Sequence, residues 1–235
     1  MKPRARKTPA GTKRTRASGA GDPKAAVLIA ALAHVPFEGF ADSVLARAAD
    51  ESGISRLELG RLFPEGPLSL VEAFSGWADA EMVRRLAGHD LASLKIRERI
   101  TLAVETRLSV LKPHEEAARR AAAFLTLPPH ASTGVRLLYR SVDAMWRAVG
   151  DTSTDFNFYS KRAILAGVYS ATLLRWFSDT TAGQTETSQF LRRRIDEVMK
   201  FEKFKAGIRE KISTLPTLTD ILNPGHARRS KAKGG

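Results

Sequence analysis

The 235-residue sequence predicts an all-α protein. From Lys24 to about Leu215, apolar residues recur at helical spacing, and no alternating strand-like run appears. Proline, glycine and short polar residues cut this stretch into segments of helix length. Within residues 43–63, a helix, a glycine-containing turn of three to four residues and a second short helix follow in helix-turn-helix spacing.

The elements follow in order. A first helix is expected over about 24–35, ending before Pro36 because proline removes a backbone donor. A second, about 43–52, takes Asp42 as N-cap and stops at Gly53. A third, about 56–62, starts after Ser55 and ends at FPEGP. A fourth, about 67–87, opens with Pro67, which suits a first helical turn. Helices over about 94–111, 113–127 and 132–149 come next, separated by Pro113 and by PPH. One over about 155–178 follows the capping string DTSTD, and the last begins near Thr187. The predicted organisation is a disordered basic tail (1–23), a three-helix helix-turn-helix unit (24–75) and a helical ligand-binding and dimerisation bundle (76–200). An amphipathic helix (201–222) and a second disordered basic tail (223–235) complete it.

The formal charge of +13 invites a nucleic-acid reading, but its distribution does not support one. Residues 1–24 carry +7 and residues 200–235 carry +6, whereas 25–199 hold 21 basic and 21 acidic side chains. The body is neutral and the ends are basic. Cysteine is absent, which excludes disulfides, thiolate metal sites and cysteine nucleophiles. AAVLIAALA at 25–33 follows a basic stretch like the apolar part of a signal peptide, yet the helix-turn-helix that follows needs it as a helix. Residues 1–24 contain no Leu, Ile, Val or Phe, so they offer no amphipathic face of the kind a mitochondrial presequence presents.

The stretch SVLARAADESGISRLELGRLF, with the preceding helix and FPEGPLSLVEAF after it, resembles the N-terminal domain of TetR regulators. The resemblance covers about 24–75 and implies a TetR-like bundle. Its DNA chemistry is missing. Residues 38–70 hold Glu38, Asp42, Asp50, Glu51, Glu58 and Glu65 against Arg47, Arg56 and Arg61. In that family a tyrosine stands at the position of Gly60 and a lysine near Gly66, both on phosphates. Specific duplex binding is therefore not expected, although the tails suit non-specific contact with polyanions.

Catalytic patterns are equally scarce. No two of His34, His89, His114, His130 and His226 stand three or four apart, and none follows a glutamate at the spacing of di-iron bundles. His114 beside Glu115 and Glu116 reads as a solvated first turn, because adjacent helical residues do not face one another. Asp151 and Asp155, four apart among hydroxyls, read as caps rather than an acid–base pair. GAGDPK lacks dinucleotide-loop spacing, and no nucleophile elbow occurs. No metal site is expected. Elimination leaves a binding protein, with a TetR-like regulator and then an enzyme on a helical bundle as the other readings.

GDTSTDFNFYSKRAIL at 150–165 concentrates caps and aromatics at one helix entrance. Beyond it the helix carries Phe158, Arg162, Leu165, Tyr169, Thr172 and Trp176 along one side, and Tyr159, Ala163, Ala166, Ser170, Leu174 and Phe177 along another. Nearly every position past the first turn is apolar or small, which predicts a central, mostly buried helix. Phe158 and Tyr159 point about a hundred degrees apart. At least one is thus expected near the surface beside Lys161 and Arg162, as a protein-binding hot spot. The preceding helix sets Leu138, Val142, Met145 and Val149 on one face, flanked by Leu137 and Trp146. With Ile164, Val168 and the small side of Ala163, Ala166 and Ser170, it is expected to enclose an apolar cavity. Periodicity alone does not separate that cavity from a filled core.

The block GDTSTDFNFYSKRAILAGVYSATLLRW closely resembles the signature of the ubiquinone-biosynthesis accessory lipid-binding proteins, a TetR-like family that has lost DNA binding. HVPFEGF, LFPEGPLSLVEAF, LKIRERI and FLRRRIDEVM are similar to that family too, and the match covers about 25–205. The resemblance implies a homodimer without a catalytic cofactor. It implies a bound isoprenoid or phospholipid, and quinone precursors presented to a di-iron demethoxyubiquinone hydroxylase. It sets the chain at the inner membrane, on the cytoplasmic face in a bacterium or the matrix face in a mitochondrion. Asp151, Ser153, Thr154, Asp155, Phe156, Asn157, Tyr159 and Arg162 match the pattern, and Phe158 replaces the family's usual tryptophan. The partner surface so implied comprises Asp155, Phe158, Tyr159 and Arg162.

Finally, Phe201, Phe204, Ile208, Ile212 and Leu215 recur three or four apart, with Lys203, Lys205, Arg209 and Lys211 on other faces. Pro216 ends the regular pattern. The stripe fits a membrane interface, where apolar burial and attraction to anionic lipid add, or a docking site on the protein's own bundle.

Overall fold

The computed structural model describes residues 22–152 and 156–213, with only the backbone described at 156–157 and 201–213. Among these residues are nine α-helices and no strand. The chain divides into two compact units, Met1–Ala73 and Phe74–Gly235.

The first unit contains α1 (Pro23–Glu38), α2 (Asp42–Glu51), α3 (Arg56–Leu62) and the start of α4 (Pro67–Leu86). Asp22 caps α1 by accepting from the Lys24 backbone N–H at 3.0 Å. Contrary to the expected stop, α1 continues through Pro36 to a cap at Gly39. Proline forfeits one hydrogen bond, here within three residues of the helix end, and buried Leu32 and Val35 hold the last turns. Asp42 is the first helical residue of α2 rather than its N-cap, so its charge acts on the helix dipole. Between α2 and α3, Gly53 adopts φ +68°, a left-handed turn that a side chain would strain, while Ala48 is fully buried. Ser55 caps α3 through the Glu58 N–H. These parts form a sound helix-turn-helix.

The second unit holds the rest of α4 with α5 (Ile96–Leu111), α6 (Glu115–Thr126), α7 (Ala131–Ala148), α8 (Phe156–Ser178) and α9 (Thr185–Ser213). Helices α5, α7, α8 and α9 pack around a core that includes Val104, Leu111, Val142, Met145, Leu165, Trp176 and Leu191. A polar cluster sits inside it. Arg107 donates to Asp79 at 2.7 Å and to Ser141 at 3.1 Å, and bonds the Tyr169 hydroxyl. Ser141 also donates to Asp79 at 3.0 Å, so α4, α5, α7 and α8 share one network. Every member thus has a partner, as a buried charge requires. Burial pushes the Tyr169 phenol up, which keeps it neutral.

The last helix, expected near Thr187, is α9, and its backbone runs from Thr185 through 201 to Ser213. One sequence expectation changes here. The side of α8 carrying Tyr159, Ala163 and Leu174 is exposed, so α8 is buried on one side only. Residues 1–21, Ser153, Thr154, Asp155 and the whole of 214–235 lie outside the described residues.

Asp179 ties α8 to α9: it accepts from the backbone N–H and hydroxyl of both Thr181 and Thr187. Bonds from the Thr181 and then the Thr187 hydroxyls hold its carboxyl well below the ordinary range. A depressed folded pKa contributes stability above the unfolded value of about 3.9 and loses it as pH falls further. Asp179→Asn is expected to lower the melting temperature at pH 7 and to flatten its decline below about pH 4. Melting curves from pH 2.5 to 7 check this, and parallel profiles for both proteins would refute it.

Candidate functional site

An apolar cavity of about 340 Å³ opens between α5, α8 and α9. Ile96, Arg97 and Ile100 come from α5, Trp146 from α7, Ser160, Lys161, Ile164, Leu165 and Val168 from α8, and Ile195, Val198 and Met199 from α9. Apolar walls with few polar groups suit a small-molecule tail. Lys161 stands at the α8 end. Its Nζ lies 5.5 Å above the Trp146 ring, and its carbonyl accepts from Trp146 Nε1 at 3.3 Å.

Of the expected lining, Trp146, Ile164 and Val168 are in place. Val142 and Met145 are fully buried in the core instead, and Leu138 is half-buried and away from the cavity. Ala163 is exposed, and Ala166 and Ser170 lie on its side of α8, turned from the cavity. The reason is geometric. The i, i+3/i+4 row through Lys161, Ile164 and Val168 faces α5 and α9, so the third wall comes from α9 and not from α7. Ile96, Ile100, Ile195, Val198 and Met199 escaped sequence reasoning. Their apolar spacing is visible, but nothing in it distinguishes lining from core.

The first turn of α8 adjoins the cavity. Tyr159 is 65% exposed, and Phe158 meets it edge-on at 5.1 Å. Arg162 departs from the expectation of a surface contact, being only 1% exposed. Its Nε donates to Asp143 at 2.7 Å and its Nη1 to Asp151 at 3.1 Å. The guanidinium also lies 3.4 Å from the Phe158 ring centroid, a cation–π contact. Arg162 therefore acts through Phe158, as a support beneath the aromatic pair. Lys161 Nζ reaches the other Asp151 oxygen at 2.9 Å. Burial alone would raise the Asp143 carboxyl, but hydrogen bonds from Arg162 and Arg147 outweigh it and hold it low. Asp155 lies outside the described residues. Phe201, Phe204, Ile208 and Ile212 fall on the backbone of α9 with side chains outside the description, as does all of Leu215.

Among the described residues no group of three or more His, Asp or Glu is arranged to hold a metal ion. His114 is half-buried rather than solvated, edge-on to Trp77 at 5.4 Å, and burial lowers its pKa. No described helix is long and apolar enough to cross a membrane.

A family model described as COQ9 matches residues 131–202, the span that contains α7, α8 and the first part of α9. The Ubiquinone biosynthesis protein COQ9, mitochondrial, of Drosophila melanogaster is 32% identical over 183 residues, covering 76% of this chain. The chain belongs to the COQ9 family. The Bos taurus member is 34% identical over 180 residues and the Homo sapiens member 33% over 180, each covering 74% of this chain. This COQ9-family chain spans little more than half the length of the curated relatives it matches, 56% for each of these three. Among solved structures, the TetR transcriptional regulator from Nitrosomonas europaea ATCC 19718 is similar with a TM-score of 0.60 at 20% identity. That similarity covers 75% of this chain and 98% of the regulator, and establishes a TetR-like fold for the COQ9-family chain.

Proposed function

We propose that this chain is a non-catalytic accessory protein of ubiquinone biosynthesis. It holds an isoprenoid lipid in the α5–α8–α9 cavity and presents quinone precursors to a di-iron hydroxylase docked on the first turn of α8. One observation carries the reading: aromatic surface and cavity share a single stretch of helix. Tyr159 is exposed, while Ser160, Lys161 and Ile164 beside it line the cavity. A partner seated on Tyr159 would therefore stand at the cavity's end. The names of the relatives, ubiquinone biosynthesis proteins, support the pathway. The acting form is proposed as a homodimer held peripherally at a membrane through residues 201–222.

The helix-turn-helix is proposed to be a structural remnant without specific nucleic-acid binding. Glu58 stands between Arg56 and Arg61 on α3, and Arg47 is engaged by Glu38. At Gly66, φ +55° with Asp42 Oδ1 3.0 Å from an added Cβ disfavours the lysine of TetR regulators. Gly60 has open space around it, so the tyrosine is missing there without steric cause.

Native mass spectrometry of the full chain, with extraction of bound lipid, tests the proposal. Lipid should accompany the parent protein, and Ile164→Trp should reduce it to a minor fraction while the helical circular dichroism persists. No recoverable lipid, or unchanged occupancy in the variant, would overturn it.

A further inference from the structure

Helix α1 is apolar all round. From Ala25 to Phe37 its only polar side chain is His34, which engages Glu51 at 2.8 Å. A helix of that composition is ordinarily buried on every side. Val27, Ala31 and Val35 are indeed fully buried in the first unit. On the other side Ala26, Ile29, Ala33 and Phe37 face solvent, with Ile29 67% and Phe37 82% exposed. At about 100° per residue these four and half-buried Ala30 share less than a third of the helix circumference, so they form one seam.

Its surroundings and its own shape decide what covers it. Beyond Lys24, the charged side chains of α1 and α2 are Glu38, Asp42, Asp50 and Glu51 against Arg47, which Glu38 engages. That sign opposes an anionic bilayer or a nucleic acid. A second copy of the chain fits instead. In an antiparallel pair of α1 helices the facing residue numbers sum to about 63, which sets Phe37 on Ala26 and Ile29 on Ala33. Each large side chain then meets a small one, and Ala30 and Ala33 near the centre allow close approach. The ends agree as well. Residues 1–24, which lead into α1, carry a net +7, whereas Glu38 and Asp42 stand at its far end. Antiparallel pairing brings basic end to acidic end and runs the helix dipoles opposite ways. A parallel pair would stack Phe37 on Phe37 and like charge on like.

We infer that two copies of this chain pair antiparallel through α1, Phe37 of each resting on Ala26 of the other. Stable interfaces bury roughly 1,200–2,000 Å², more than one pair of 16-residue helices offers. The pairing is therefore expected to be micromolar or weaker. It gives the proposed homodimer a face and involves nothing of the cavity.

Sedimentation of the full chain, at concentrations on the order of 1–100 μM, should show dimers. Ile29→Glu and Phe37→Glu should each weaken them by about tenfold or more, because a charge then faces an apolar seam, while the helical circular dichroism stays unchanged. The chain has no cysteine, so introduced thiols report geometry directly. On oxidation, Ala26→Cys mixed with Phe37→Cys should cross-link to each other, and Ala26→Cys alone should not. A dimer that survives both glutamate substitutions would leave the homodimer on another face and overturn the α1 pairing. Ready cross-linking of Ala26→Cys to itself would overturn it too. So would an unchanged dimer with Phe37→Glu released from phosphatidylglycerol vesicles, which would give the seam to a bilayer. A parent chain that stays monomeric throughout would overturn the homodimer and the α1 pairing together.

Discussion

Arg162→Met is expected to cost about 3–5 kcal/mol of folding stability and to lower the melting temperature by on the order of 10 °C. Arg162 is 1% exposed between Asp143 and Asp151, and the Asp151 side chain is itself only 5% exposed. Removing the buried cation leaves two carboxylates facing one another with the more exposed Arg147 and Lys161 beside them, which is worse than never having buried the pair. The substitution also takes away the guanidinium beneath Phe158. Thermal melts and denaturant titrations measure the loss. A second substitution, Asp151→Asn in the Arg162→Met background, should recover part of it, because one of the two facing negative charges is then gone. If Arg162→Met melts within 2 °C of the parent, on the order of half a kcal/mol, the cluster is not the clamp described here.

Tyr159→Ala should behave in the opposite way. The side chain is 65% exposed and meets Phe158 at its edge, so truncating it removes little buried area. Its effect on folding is expected to stay within about 0.5 kcal/mol, as for a surface substitution. Binding to the proposed partner, a di-iron hydroxylase, should weaken by about thirtyfold, the loss of ~2 kcal/mol typical of an aromatic interface anchor. Phe158→Ala should weaken both binding and stability, because that ring packs on Arg162. Calorimetric titration of the hydroxylase, paired with melting curves, separates the two residues. Unchanged affinity in Tyr159→Ala would remove this turn as the docking surface. A melting temperature far below the parent's would show that the ring was core.

Pro36 and Asp42 mark where local rules fell short at helix ends. A proline near a C-terminus loses one bond, and packing of Leu32 and Val35 decides whether the helix goes on. Arg162 marks a larger gap. Lys161 and Arg162 are adjacent basic residues at a helix entrance, and the sequence offers no reason to treat them differently. Both meet Asp151, but Lys161 lines the cavity while Arg162 is buried, because Asp143 on α7 reaches the second position and not the first. The Arg107 network shows the same limit. Its partners lie 28 to 62 residues away along the chain, and nothing local links them.

By itself the sequence determined the all-α class, the starts of all nine described α-helices to within two residues, the helix-turn-helix and the aromatic turn at 156–159. Periodicity, caps and breakers are short-range properties of the chain, legible wherever the residues stand. Only the tertiary structure decided that Ile164 and Val168, rather than Ala163, Ala166 and Ser170, face a cavity. It also decided that α5 and α9 supply the opposite walls, and that α8 leaves Tyr159 exposed. A helix displays several apolar rows, and which becomes lining, core or surface depends on the distant segment that packs against it.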